Sequence, residues 1–249
     1  MSLLEIRSAS RSFGSLLAVD EVSMAVETGE LRAVIGPNGA GKTTFFNLIS
    51  GLLSPTAGSI IFDGQDVTGT KPATRVGLGM ARTFQITEIF PELTVRENLL
   101  IPVELAAGLK FSPRAPAAIQ ELIDQRVLDL LGTGNLDARA DRLAGELSHG
   151  DQRATEIMMA LALNPRLVLL DEPTAGMGDQ ETYAIAQLIR RLHRDAKLTI
   201  VLIEHDMRVV FNLADRITVL DRGKLLAEGS PKEIASNEVV QAAYLGKTE

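Results

Sequence analysis

The sequence predicts an α/β fold. Three observations predict it: apolar strand-like runs that each end in glycine-rich or charged residues, a central stretch that changes to helical periodicity, and a glycine loop bearing a lysine between an apolar run and a helix. At 249 residues the chain suits one α/β unit with two lobes and can bury a sizeable core. It carries no internal repeat and no low-complexity tract, which argues against solenoids and tandem duplication.

From the N-terminus, residues 3–6 and 59–62 read as short β-rich runs, and residues 31–35, 167–170 and 199–203 as apolar strands. In open α/β sheets ligands gather at the strand ends, so function is expected in the residues directly C-terminal to these strands. Between residues 88 and 165 the pattern is helical. Thr94-Val95-Arg96-Glu97 matches a capping box, residues 119–131 carry apolar residues at helical spacing, and residues 108–116 and 132–134 read as connecting loops. Residues 216–220, a turn at 221–224 and residues 225–228 read as a hairpin, and Ser230-Pro231-Lys232-Glu233 opens a last helix.

Composition narrows the function. Twenty-five Lys and Arg against 32 Asp and Glu leave a net charge of -7, unfavourable for a dedicated nucleic-acid binder. The absence of cysteine excludes disulfides, thiolate metal sites and cysteine nucleophiles. The longest apolar run, residues 157–163, falls far short of the ~20 residues that span a bilayer, so membrane association is expected through protein partners.

Gly36-Pro37-Asn38-Gly39-Ala40-Gly41-Lys42-Thr43-Thr44 fits the P-loop pattern in its required context, after a strand and before a helix. Glycines there let backbone N–H groups turn onto phosphates, Lys42 reaches the β- and γ-phosphates, and Thr43 is placed for Mg²⁺. The strand at 167–170 delivers Asp171 and Glu172. Asp171 suits the metal and Glu172 a general base, although two acids can also simply solvate a strand end. His205 ends another strand and is either structural or a γ-phosphate contact. Ser148, in Leu147-Ser148-His149-Gly150-Asp151-Gln152, is either a helix cap or, with Gly150, a second anion site.

These motifs, in this order, resemble the ATP-binding subunits of ABC transporters over essentially the whole chain. Residues 36–44 resemble Walker A, Gln85 in Arg82-Thr83-Phe84-Gln85 the Q-loop, residues 147–152 the signature, residues 167–172 Walker B and His205 the switch histidine. The resemblance implies a P-loop NTPase core of ABC ATPase type with an N-terminal antiparallel β subdomain and an inserted helical lobe. That is one domain over residues 1–249, in which 1–87 and 166–249 form the core and 88–165 the signature lobe.

It further implies an Mg²⁺-dependent ATPase with ATP and Mg²⁺ as ligands. Phe13 stacks on adenine; Gly36, Asn38, Gly39, Ala40, Gly41, Lys42, Thr43 and Thr44 bind ATP; Ser148 and Gly150 complete the site from a second subunit, head to tail. Glu172, His205 and Gln85 serve catalysis, and Thr43, Gln85 and Asp171 the metal. The implied partners are a second ATPase subunit, two transmembrane permease subunits received near residues 86–100 and, indirectly, a periplasmic substrate-binding protein. No nucleic-acid partner is implied, and the implied place is peripheral, at the cytoplasmic face of the inner membrane.

The sequence departs from the family pattern twice. His149 stands where the signature has a second glycine, and residues 175–178 lack the usual D-loop acid, with Asp179 one residue late. Residues 82–85, 92–99 and 244–246 narrow the resemblance to import ATPases for branched-chain amino acids and amides, with the urea-import members and the lipopolysaccharide-export ATPases as alternatives. A soluble ABC ATPase acting on nucleic acid, a non-hydrolysing regulator and a P-loop small-molecule kinase are the competing classes. The intact Glu172 and His205 argue against the regulator, and the Ser148 segment against the kinase.

Overall fold

Alternating apolar residues with polar neighbours favour a sheet with one covered face, and the chain opens that way. A computed structural model describes residues 2–83, 89–109 and 116–245. In it β1 (Ser2–Phe13) and β2 (Leu16–Glu27) form a long antiparallel hairpin. The sequence pattern marks only the first part of β1 and leaves β2 unmarked. The polar run 7–12 and the pair Asp20-Glu21 break the period of two, and positive φ at Ser8 (45°) and Glu21 (49°) accompanies shifts in register.

Next come β3 (Leu31–Ile35), α1 (Lys42–Ser50), β4 (Ala57–Phe62), β5 (Gln65–Asp66), α2 (Pro72–Gly77) and β6 (Met80–Arg82). The helices α3 (Val95–Ala106), α4 (Ala117–Gly134) and α5 (His149–Ala162) lie beyond them, then β7 (Leu167–Asp171), α6 (Asp179–Arg194), β8 (Thr199–Ile203), α7 (Met207–Leu213), β9 (Arg216–Asp221), β10 (Lys224–Gly229), α8 (Pro231–Ala235) and α9 (Glu238–Leu245).

A four-stranded antiparallel sheet has the order β2-β1-β4-β5, and a six-stranded sheet the order β10-β9-β3-β8-β7-β6. The second is parallel except at β10. Strands β3, β7 and β8 are buried at every position, as strands covered on both faces must be. Their side chains alternate. Val168, Leu170, Ile200 and Leu202 enter the core shared with α3 to α6, while Leu167, Leu169, Val201 and Ile203 enter the core shared with α1 and the antiparallel sheet. Because β6 pairs with β7, the helices α3 to α5 leave and rejoin the sheet at adjacent strands.

The capping boxes at Thr94/Glu97 and Ser230/Glu233 form as their sequences predict. Residues 132–134 do not form the expected loop; they are the last turn of α4, which closes at Asn135 with φ 56°. Gly134 serves close packing, since a Cβ on it would come within 2.9 Å of both Leu136 and Met158.

One buried cation locks α1 in place. Arg75 gives Nη1 to the carbonyls of Leu48 (2.7 Å) and Ile49, and Nη2 to Val67 (2.6 Å). It therefore satisfies the orphan carbonyls at the negative end of α1, although burial pulls its pKa down to about 10. Arg75→Ala removes the donor to the Ile49 carbonyl, while Leu48 keeps Gly51 N–H and Val67 keeps the N–H and hydroxyl of Thr70, and should cost about 2 kcal/mol in urea unfolding. A loss under about 1 kcal/mol would mean that water replaces the guanidinium.

Candidate functional site

The parallel strands end along one rim of the six-stranded sheet, and the site is assembled there. From β3 the chain turns through residues 36–41 into α1, capped by Gly41 at φ 95°. A side chain at Gly41 is excluded twice over: the φ is left-handed, and a Cβ would lie 2.3 Å from the Ala18 carbonyl. The loop is braced from the far side of the fold, where Gly223 N–H donates to the Ala40 carbonyl at 3.0 Å and Asp20 N–H to the Gly223 carbonyl at 2.8 Å.

Residues 38–44 line a cleft of about 570 Å³, with Glu172, His205 and the Arg222-Gly223 turn along its rim. Lys42 is buried in it and donates from Nζ to the carbonyls of Gly36 (2.8 Å) and Pro37 (3.0 Å). Burial draws its pKa below the usual lysine value, against the attraction of Glu172 and Asp171. Phe13 is not in the lining. It stands exposed at the end of β1 with the Arg11 guanidinium 4.8 Å from its ring, and Leu16, Leu17 and Ala18 form that wall of the cleft.

Asp171, the last residue of β7, is buried and paired with Arg82 at 2.8 Å. Burial pushes its carboxyl above the usual range, with Arg82 opposing. Magnesium takes hard oxygen ligands, commonly one or two carboxylates plus substrate phosphates and water. Thr43, in the cleft lining, and Asp171, whose charge acts on Lys42, supply donors of that kind and fit the ion. Among the described residues no group of three or more histidines, cysteines and acids could hold a metal. Gln85, assigned to the same ion by resemblance, lies outside the described residues.

Glu172 sits at φ 46°, a conformation costing a non-glycine residue of order 1–3 kcal/mol, and its N–H donates to the Ile203 carbonyl at 2.9 Å. That geometry carries its carboxylate to within 2.8 Å of His205 Nε2. The predicted base and the predicted phosphate contact are thus brought together at the cleft.

The structure adds residues that the motifs did not point to. Glu204 is buried, and Oε1 accepts from the N–H (2.9 Å) and hydroxyl of Thr174, while Oε2 accepts from His205 N–H at 2.8 Å. It joins the loop after Glu172 to the loop carrying His205. Arg153 of α5 donates to the carbonyls of Asp171 (2.6 Å) and Glu172 (3.1 Å), tying the helical layer to the end of β7. No local signal marks them in the sequence, because Arg153 stands among Asp151, Gln152, Thr155 and Glu156, and Glu204 beside His205 and Asp206.

Ser148 and Gly150 lie apart from the cleft. They line a separate cavity of about 290 Å³ at the start of α5, where Ser148 caps the helix by accepting from Asp151 N–H at 3.2 Å. Asp179, the displaced acid, opens α6 behind Gly178 and pairs with Arg208 at 3.3 Å.

The family model described as ABC transporter matches residues 19–175, and that of the branched-chain amino acid ATP-binding cassette transporter matches residues 224–249. The chain is similar to the high-affinity branched-chain amino acid transport ATP-binding protein BraF of Pseudomonas aeruginosa, with 39% identity over 98% of both chains. Its fold matches the ADP conformation of MJ1267, an ATP-binding cassette of an ABC transporter, at TM-score 0.87 and 32% identity, covering 99% of this chain and 100% of that one. It also matches the dimeric structure of MJ0796, a bacterial ABC transporter cassette, at TM-score 0.77 and 25% identity, covering 92% and 98%.

Proposed function

The chain belongs to the ABC transporter family of ATP-binding proteins, and from that premise we propose that it is the ATP-hydrolysing subunit of an importer for branched-chain amino acids. The observation that carries the mechanism is the separation of the two anion sites. Lys42, Glu172 and His205 share one cleft, whereas Ser148 and Gly150 face a different cavity. A phosphate held by Lys42 meets Ser148 only if a second subunit supplies it, head to tail.

In that sandwich the amides of residues 38–44 and Lys42 hold the phosphates. Glu172 takes the proton from the attacking water as it bonds to the γ-phosphorus and the bridge to the β-phosphate breaks, leaving ADP and phosphate. His205 contacts the γ-phosphate, and Glu204 holds the backbone from which it projects. Thr43 and Asp171, with Gln85 as third candidate, would hold magnesium, which would supply charge neutralisation for the transferred phosphate.

The lobe of residues 88–165 receives the permeases. Phe90 (47%), Ile101 (41%) and Leu105 (59%) expose apolar surface at and beside α3, as a protein-docking face requires. Among the described residues no helix is long and apolar enough to cross a membrane; the place of the subunit, peripheral at the cytoplasmic face of the inner membrane, rests on its likeness to transport ATP-binding proteins. The receptor and permeases choose the cargo.

The test is uptake by the complex reconstituted with the permeases and receptor that co-purify with this chain. Leucine, isoleucine and valine should accumulate with Mg²⁺ and ATP on the cassette side. Lys42→Ala, which removes a charge-assisted phosphate contact, should weaken ATP binding about 10- to 100-fold and stop uptake. Transport competed by urea but not by leucine would overturn the cargo, and absence of Mg²⁺-dependent turnover would overturn the motor.

A further inference from the structure

One donor assigned to the second subunit's γ-phosphate is already engaged within this chain. Gly150 N–H donates to Glu181 Oε1 at 3.1 Å, and the Ser148 hydroxyl, which lines the same cavity, favours the ionised carboxylate. The carboxylate lies across the glycine: the atoms nearest to a Cβ built on Gly150 are Glu181 Cγ at 3.2 Å, Cβ at 3.3 Å and Oε1 at 3.3 Å. Glu181 is the third residue of α6, so its backbone is fixed at the helix start. The Gly150 N–H, ahead of the other contacts, holds its carboxyl below the usual glutamate range, and it stays ionised at neutral pH.

An ionised carboxylate and a γ-phosphate cannot share these donors. Both are anions, and each would take the hydroxyl and N–H at the positive end of α5. Resting on the composite-site reading above, we propose that Glu181 is the internal counter-ligand of the signature: the γ-phosphate enters by exchange with its carboxylate, so Glu181 sets the ATP concentration at which two subunits close. ADP, with no third phosphate to offer, leaves Glu181 in place. The cavity that Ser148, Gly150 and Glu181 line gives the displaced side chain room to move without unfolding α6.

The experiment uses the full chain in the Glu172→Gln background, with dimer formation followed by analytical ultracentrifugation across an ATP titration. Adding Glu181→Gln keeps the side chain's shape and removes its charge. The ATP midpoint for dimerisation should fall about 2- to 5-fold, the range for one exposed, screened charge, while nucleotide affinity of the monomer stays constant. Glu181→Ala, which removes the carboxylate altogether, should move the midpoint in the same direction even if thermal unfolding comes earlier. A midpoint that both variants leave unchanged would reduce Glu181 to a cap of α6, and one that both raise would place the carboxylate among the supports of the closed state. Either result overturns the proposal. If Glu172→Gln alone forms no ATP-dependent dimer, the composite site itself fails and this inference falls with it; a Glu172→Gln dimer indifferent to Glu181 overturns only the inference.

Discussion

Glu172→Gln is expected to lower ATP turnover by about 10²- to 10⁴-fold, the usual contribution of a general base, while ATP binding persists and a nucleotide-dependent dimer accumulates. The backbone at this position is held by Glu172 N–H to the Ile203 carbonyl and by Arg153 to the Glu172 carbonyl, neither of which depends on the side chain. An amide therefore occupies the same place and retains a hydrogen bond with His205, now 2.8 Å from the carboxylate. What it loses is the capacity to accept the water's proton. Removing one negative charge beside Lys42, which Glu172 attracts across the cleft, also favours a bound polyphosphate. Steady-state phosphate release and sedimentation in the same buffer check both halves. Turnover within a few-fold of wild type would remove Glu172 as the base, and a monomer at saturating ATP would remove the sandwich.

The sequence announced the parts of the site that are local in the chain. Residues 36–44, Asp171-Glu172 and His205 each come directly after an apolar strand, and strand-end chemistry is visible wherever the strand is visible. Glu204, Arg153 and Glu181 were not legible, because their partners lie 30, 18 and 31 residues away and only the packed sheet brings them together. The same distinction holds for the fold. The wholly buried β3, β7 and β8 stood out as apolar runs, while β2 was hidden by a bulged, half-polar hairpin whose period breaks at Asp20-Glu21. Gly134 misled for a related reason: glycine marks chain reversal in the sequence, but here it is required by the approach of Leu136 and Met158, known only once α4 and α5 are packed.

Ser148→Arg should abolish turnover while leaving nucleotide binding by the isolated subunit intact, because Ser148 lines a cavity separate from the one holding Lys42. The cap it provides to Asp151 N–H is worth about 1 kcal/mol, too little to unfold a domain of this size. An arginine there fills the space a phosphate needs and pairs with the neighbouring Glu181, holding the counter-ligand on the site. The decisive form mixes subunits. Combining Ser148→Arg with Lys42→Ala chains, each inactive alone, gives mixed dimers in which one site draws an intact Lys42 from the first chain and an intact Ser148 from the second. With random pairing and independent sites the mixture should recover roughly a quarter of wild-type turnover. If Ser148 acted within its own subunit, no pairing of these chains would assemble a complete site and the mixture would stay inactive.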